Sequence, residues 1–424
     1  MLVFAVALTS AGAAVARDVG TTSPQVPEQR PASFTLRIGA VLPLSGPLAS
    51  LGPGMDASVK LGVALANQAL RSTSSGKGVS VTLAGTEDSQ GNAAGAVEAA
   101  TKLVKSDRVN VLVGSCATRE TIPIAQSVTI RNRVVQISVC SQSDQLSALR
   151  DQGFVFQMLI PVQVAAASYV IVSRQAFGAR ASLNTGSIND AGNGGLRQEF
   201  EKQWKAQGGT IGASVAWNLG QASYDTEAQR LAAGRPAGWV IFDTPDDFTV
   251  LGPALVRTGT WDPARTIMQE VFGDPAALEK IGDPATKGLR INTIVGEGPG
   301  TSYFWSAFKK ANPKVTPTGF EALAFDPVVV SVLAALRARS AQPAAIKSQL
   351  RAISGPPGKK YTAKSLTAAV RAVLQGKDIN YEGAWSSIDW NAQGDPTAAT
   401  YVLTQYLGNG APLKQLSRFT VSKK

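Results

Sequence analysis

Two hydroxyls and a thiol stand where an apolar run gives way to a helical one, in "VNVLVGSCATRETIPIAQ" (109–126). Ser115, Cys116 and Thr118 follow the strand-like stretch 109–114. A hydroxyl at a helix entrance either caps the helix's own free backbone N–H groups or helps them hold an anion such as a carboxylate. The chemistry recurs in "ISVCSQSDQL" (137–146), which sets Cys140, Ser141, Gln142 and Ser143 at the end of the next apolar run. Two adjacent strand ends of the same character point to a site more than either does alone. A third candidate is "NDAGNGGLRQEF" (189–200), where Gly192, Gly194 and Gly195 precede a helix. It lacks the Lys and Ser/Thr of a phosphate loop, so nucleotide binding is rejected. Glu270 closes "TIMQE" (266–270). In a crevice it would pair with a ligand cation, and on an open loop it would be one more solvated acid.

Histidine is absent from all 424 residues. That removes Ser-His-Asp and Cys-His nucleophiles, imidazole acid–base chemistry and histidine-ligated zinc. Two cysteines are too few for a thiolate metal site, and no cofactor is expected. Cys116 and Cys140 follow neighbouring strands by similar lengths, so their side chains can meet. In an oxidising exterior a disulfide, worth about 3 kcal/mol through loop closure, is the expected outcome, with two free thiols as the alternative.

The elements that would position these residues alternate. Strand-like runs at 36–44, 79–85, 109–114 and 134–139 are separated by helical stretches near 54–71, 92–105 and 119–131. In the first helix Met55, Val59, Val63, Ala66 and Leu70 recur every three or four residues, a core-packing stripe. A second series has strands at "FVFQMLI" near 153, 179–185, 209–217, 238–242 and 266–270, with helices near 162–177, 193–207, 223–233 and 246–258. Short apolar strands alternating with amphipathic helices predict an α/β protein of two doubly wound parallel-sheet lobes, with ligands beyond the carboxyl ends of the strands. A strand at 289–296, helices at 302–311, 319–339, 343–353 and 362–375, and a hairpin turning at "NAQGDP" (391–396) complete those lobes.

Residues 1–16 are apolar or small, carry no charge and end in Ala14-Val15-Ala16, the pattern of a cleaved export signal, with a short membrane anchor as the competing reading. Residues 17–33 read as a flexible spacer. Lys and Arg outnumber Asp and Glu 41 to 30, a net charge of +11, but the positive charges are scattered and do not interleave with aromatics. A solvated basic surface is expected, and no nucleic-acid partner.

Several stretches together resemble the periplasmic leucine/isoleucine/valine-binding proteins, solute receptors of ABC transporters. They are "LRIGAVLPLSGPLASLGPGMDASVKLGVALANQ", "TEDSQGNAAGAVEAATKLV", "VLVGSCATRETIPIA", "QISVCSQSDQL", "IGDPATKGLRINT", "GFEALAFDPVVVSVLAAL" and "YEGAWSSIDWNAQGD", in the family's order from about 34 to 408. The resemblance implies the type I periplasmic binding protein fold, two lobes joined by three hinge crossings that close on a small ligand. The expected division is 34–159 and 289–382 in the first lobe, 160–288 in the second, and 383–424 as a C-terminal hairpin and tail mainly of the second. Thr118 matches the family's carboxylate-binding hydroxyl, with Ser115 beside it. Cys140, Ser141 and Gln142 stand where the family supplies backbone N–H groups and a further hydroxyl, and Glu270 matches its ammonium-binding acid. Gly192 replaces the family's pocket tyrosine, which leaves the side-chain preference open.

The expectation is an exported, monomeric, non-catalytic receptor that delivers an amino acid or similar small polar ligand to a membrane permease. A sensor of the same fold signalling to a partner protein is the nearest alternative. An enzyme using Asp/Glu chemistry, which needs no histidine, is the rival from another class.

Overall fold

The computed structural model describes residues 33–190 and 192–422. The expected export signal (1–16) and nearly all of the expected spacer (17–33) lie outside them. The first five strands are β1 (Phe34–Leu42), β2 (Val79–Asp88), β3 (Val111–Gly114), β4 (Val135–Ser138) and β5 (Val155–Gln157), all parallel, in the order β2-β1-β3-β4-β5. β3 and β4 are buried along their whole length because helices cover both faces of the sheet. The two faces feed different cores. Val111 and Val113 belong to the core that also holds the helices Gly52–Arg71 and Ala322–Ala338, while Leu112 and Val41 belong to the one that holds the helix Ala93–Thr101. That is the two-residue alternation of a strand. Met55, Val59, Ala66 and Leu70 of the predicted stripe are buried, and Val63 is partly so. This helix crosses the helix Ala322–Ala338 at Gly62, where a Cβ would stand 3.0 Å from the Cβ of Val328.

The second sheet contains β6 (Ser182–Ile188), β7 (Thr210–Trp217), β8 (Gly238–Phe242), β9 (Thr266–Gln269) and β10 (Arg290–Val295). The short strands β11 (Lys359–Tyr361) and β12 (Ile379–Tyr381) pair apart from it, and β13 (Ala398–Gln405) and β14 (Lys414–Ser422) add to it, giving β14-β13-β10-β9-β8-β6-β7. Its five parallel strands therefore repeat the order of the first sheet, with β6 in the place of β1 and β8 in that of β3. In this winding the order reverses between the first and third strands, and a crevice opens beyond their carboxyl ends. One such crevice lies after β1 and β3, the other after β6 and β8.

The chain crosses between sheets three times: between β5 and the helix Val162–Phe177, between β10 and the helix Thr301–Ala311, and between β12 and β13. Two expectations are corrected here. The sequence-based division puts 289–382 in the first lobe, but β10 pairs with β9 and β13 in the second sheet, and the return follows Val295. The hairpin does not turn at 391–396, where a single bridge, Trp390 to Pro396, closes a loop. It is formed by β13 and β14 further on. The residues before the loop are tied to the first lobe instead. Asp326 accepts from the backbone N–H groups of Ala384 and Trp385 at 2.9 and 2.7 Å, and from the Tyr381 hydroxyl at 3.0 Å, while Trp390 Nε1 donates to the Gln157 carbonyl at 2.7 Å. Among the described residues no helix is long and apolar enough to cross a membrane.

Candidate ligand-binding site

The two crevices face one another across a cavity of about 110 Å³. The first lobe contributes Leu48 and Leu51 after β1, Cys116 to Arg119 after β3, Cys140 and Gln142 after β4, and Phe320. The second contributes Asp190, Gly192, Asn193 and Leu196 after β6, Thr244 after β8, and Gln269 to Val271 after β9, with Leu159 at a crossing. The same three strand ends of each sheet thus meet. A cavity this small suits a ligand of amino-acid size, not an oligomer.

Thr118, Cys140, Gln142, Gly192 and Glu270 of the expected site line this cavity. The Thr118 hydroxyl does not cap its own helix, Thr118–Ile124. It lies 3.2 Å from both the backbone N–H and the carbonyl of Gln142, which ties the ends of β3 and β4 together. Gln142 Nε2 in turn donates to the Ile160 carbonyl on the first crossing at 3.3 Å. Gly192 stands opposite: a Cβ there would come within 3.3 Å of Thr118 Oγ1.

Ser115 and Ser141 are not on the cavity, which corrects the expectation for both. Ser115 is fully buried and its hydroxyl donates to Glu120, an acid whose own proton affinity is raised by burial. The Ser141 hydroxyl is engaged by Thr121 Oγ1 at 2.7 Å and the Cys116 carbonyl at 3.0 Å. Ser143 caps the turn after it, accepting from Gln145 N–H at 3.2 Å. These hydroxyls brace the first lobe's strand ends from within.

The expected disulfide is not formed in this structure. Cys116 and Cys140 sit side by side on the cavity wall as free thiols. Burial, and then the neighbouring Cys116, push the Cys140 thiol well up, which keeps it in the protonated form that does not attack sulfur.

Glu270 faces the cavity from the second lobe, and burial raises its pKa above the ordinary carboxylate value. Among the described residues its one side-chain partner is the Tyr169 hydroxyl at 3.5 Å, and no basic side chain forms an ion pair with it. Burial, then the Glu270 charge, also raise the phenols of Tyr169 and Tyr401, so both stay neutral beside it. Arg119, Asp190, Asn193, Thr244 and Gln269 also line the cavity and carry no mark in the sequence, although Arg119 adjoins Thr118 and Asp190 lies two residues before Gly192. A second cavity of about 210 Å³ lies among the three crossings and shares no residue with the cleft. Its polar groups are already matched, Thr400 with Thr420 and Glu297 with Arg418, so it offers little to a charged ligand.

Residues 35–364 match the family described as periplasmic binding protein. The chain belongs to that family. Its fold is that of the leucine/isoleucine/valine-binding kind of type I periplasmic binding protein, as its structural neighbours bear out. The leucine-binding protein LivK of Thermotoga maritima superposes with a TM-score of 0.72 at 18% identity, over 91% of this chain and 98% of that one. LivJ of Streptococcus pneumoniae, in complex with isoleucine, gives 0.68 at 18% identity, over 92% and 100%. A Rhodopseudomonas palustris solute-binding protein in complex with benzoate gives 0.67 at 16% identity, over 92% and 98%. No curated protein matches the sequence.

Proposed function

We propose that this periplasmic binding protein is the extracytoplasmic receptor of an ABC importer and that it holds an amino acid, or a similarly small zwitterion, between its lobes. The ligand's carboxylate sits on the first lobe, at the strand ends joined by Thr118 and Gln142, and its ammonium meets Glu270 on the second. The observation that carries the reading is Glu270 itself: a carboxylate withdrawn from water, lining the cavity, with no cationic partner among the described residues. A buried acid in that state gains most from a ligand cation. A carboxylate-only ligand such as the benzoate of one neighbour would leave that acid uncompensated. Contacts to both lobes exist only when the cleft is shut, so the ligand stabilises the closed form by its differential affinity, and no bond is broken. The closed monomer is what a membrane permease would recognise.

A thermal-shift screen of amino acids, carboxylates and amides tests this, because a ligand specific for the folded state raises Tm by mass action. At least one α-amino acid should raise Tm, and Glu270→Ala should abolish that shift while leaving the ligand-free Tm near its starting value. A shift that survives the substitution, or a screen in which only ammonium-free carboxylates act, contradicts the reading.

A further inference from the structure

Arg119 is a charged group on the cavity wall whose hydrogen-bonding capacity is largely unspent. Its Nε donates to the Gly91 carbonyl at 3.0 Å, which fixes the plane of the guanidinium. Nη1 makes a long ion pair with Asp190 Oδ2 of the opposite lobe, at 3.8 Å and so beyond hydrogen-bond length, and Nη2 is withdrawn from solvent with no hydrogen-bond partner among the described residues. A guanidinium carries five N–H donors and never gives up its charge, so several donors here are without an acceptor. Asp190 is only partly engaged. It accepts from the Asn193 backbone N–H at 2.6 Å and from Asn193 Nδ2 at 3.1 Å, and it too lines the cavity. The cleft therefore presents a fixed donor from one lobe beside an acceptor from the other, apart from the Thr118 and Glu270 positions.

We propose that Arg119 and Asp190 read the ligand's side chain, and that the preferred ligand is an α-amino acid bearing a carboxamide. This rests on the zwitterion reading above and deepens it. A primary amide supplies both halves of the match: its carbonyl oxygen accepts from Arg119 and its NH2 donates to Asp190. A side-chain carboxylate would satisfy Arg119 but face Asp190 with like charge in a cavity that already holds Glu270. A side-chain ammonium would suit Asp190 but oppose Arg119. An aliphatic side chain would leave the Arg119 donors orphaned in the closed cleft, and a site built for polar groups rejects a ligand that lacks them. Leu48 and Leu51 from the first lobe and Leu196 from the second line the same cavity and supply apolar surface for the ligand's methylenes.

The experiment is calorimetric titration of the full-length protein with glutamine, asparagine, glutamate and leucine, repeated on Arg119→Met and Arg119→Lys. The wild type should bind glutamine or asparagine about 10- to 100-fold tighter than leucine, the range of a hydrogen bond to a charged group. Arg119→Met should bring amide and leucine affinities within about 3-fold of each other, and Arg119→Lys, which keeps the charge but not the planar fork, should fall between. The ratio of affinities is the readout, because a merely structural role for Arg119 would weaken all four ligands alike. Tighter binding of leucine than of either amide by the wild type, or an unchanged ratio in Arg119→Met, overturns the proposal while leaving the zwitterion reading standing. Failure of every α-amino acid to bind overturns both.

Discussion

Gly192 offers the most direct steric test of a cleft that shuts. Its backbone is right-handed helical, φ −83° and ψ −70°, a conformation open to any residue, so a side chain there introduces no backbone strain. What it introduces is a contact across the cleft. A Cβ would stand 3.3 Å from Thr118 Oγ1 and 3.6 Å from both Thr118 Cβ and Asp190 Oδ1. The lobes must then part by a few tenths of an ångström, an overpacking cost of about 1 kcal/mol for Ala, or roughly 5-fold in affinity. Leu carries three further carbons into the cavity itself and should cost about 3 kcal/mol, roughly 100-fold. Because the cost arises only in the closed state, the ligand-free Tm should stay within about 1 °C of wild type for Gly192→Ala. Titration calorimetry against the tightest amino acid from the screen, with scanning calorimetry of the ligand-free variants, reads both quantities. A Leu variant that binds as tightly as wild type would refute the reasoning, as would an affinity loss matched by an equal loss of ligand-free stability.

Other outcomes follow from the same contacts. Ser115→Ala removes the donor to buried Glu120 and should cost about 1–3 kcal/mol of folding stability in urea unfolding, with ligand affinity within 2-fold of wild type, since Ser115 does not reach the cavity. Affinity should fall as pH drops through the raised pKa of Glu270, because the ligand ammonium needs the ionised carboxylate; titrations between pH 4 and pH 8 should show that decline in the wild type, and Glu270→Gln should flatten it. Asp326 is pushed up to about 6 by burial, so its proton favours the fold: that contribution is whole below the unfolded value near 3.8 and is lost as pH rises through 6. The gap corresponds to about 3 kcal/mol, and the stability difference between wild type and Asp326→Asn should change by roughly that amount from pH 4 to pH 7 in urea unfolding. A constant difference would mean that the carboxylate stays ionised throughout.

The fold was legible wherever burial alone decides the pattern. The helix Val162–Phe177 and the strand Gly238–Phe242 were bounded correctly because their residues pack into the core along most of their length and are bracketed by Pro161, Gly178 and Asp243. The C-terminal hairpin lies further on than expected because residues 381–390 look strand-like yet are held by Asp326 and Gln157 from the first lobe, contacts that span 55 residues and more. β14 alternates exposed and half-buried residues on a sheet edge, which leaves little apolar signal to read. At the site, chain position told which strand ends converge but not which way each side chain turns. Thr118 and Ser115 are three residues apart and of similar chemistry, but one reaches the cavity and the other serves Glu120. Arg119, the residue next to Thr118, showed no signal because a lone arginine in a basic chain reads as solvated surface, and only its contacts with Gly91 and Asp190 mark it out. The proximity of Cys116 and Cys140 was readable from matched strand ends; whether sulfur bonds to sulfur was not.

The central claim is that the ligand's ammonium is recognised by Glu270 across the cleft from Thr118. Its most direct measurement pairs the tightest-binding amino acid with its des-amino analogue, titrated by calorimetry on the wild type and on Glu270→Gln. Removing one partner of a desolvated charge pair costs about 3 kcal/mol or more, so the wild type should prefer the amino acid by at least roughly 100-fold and the variant should lose most of that preference. Equal preference in both proteins would place the ammonium elsewhere and contradict the account.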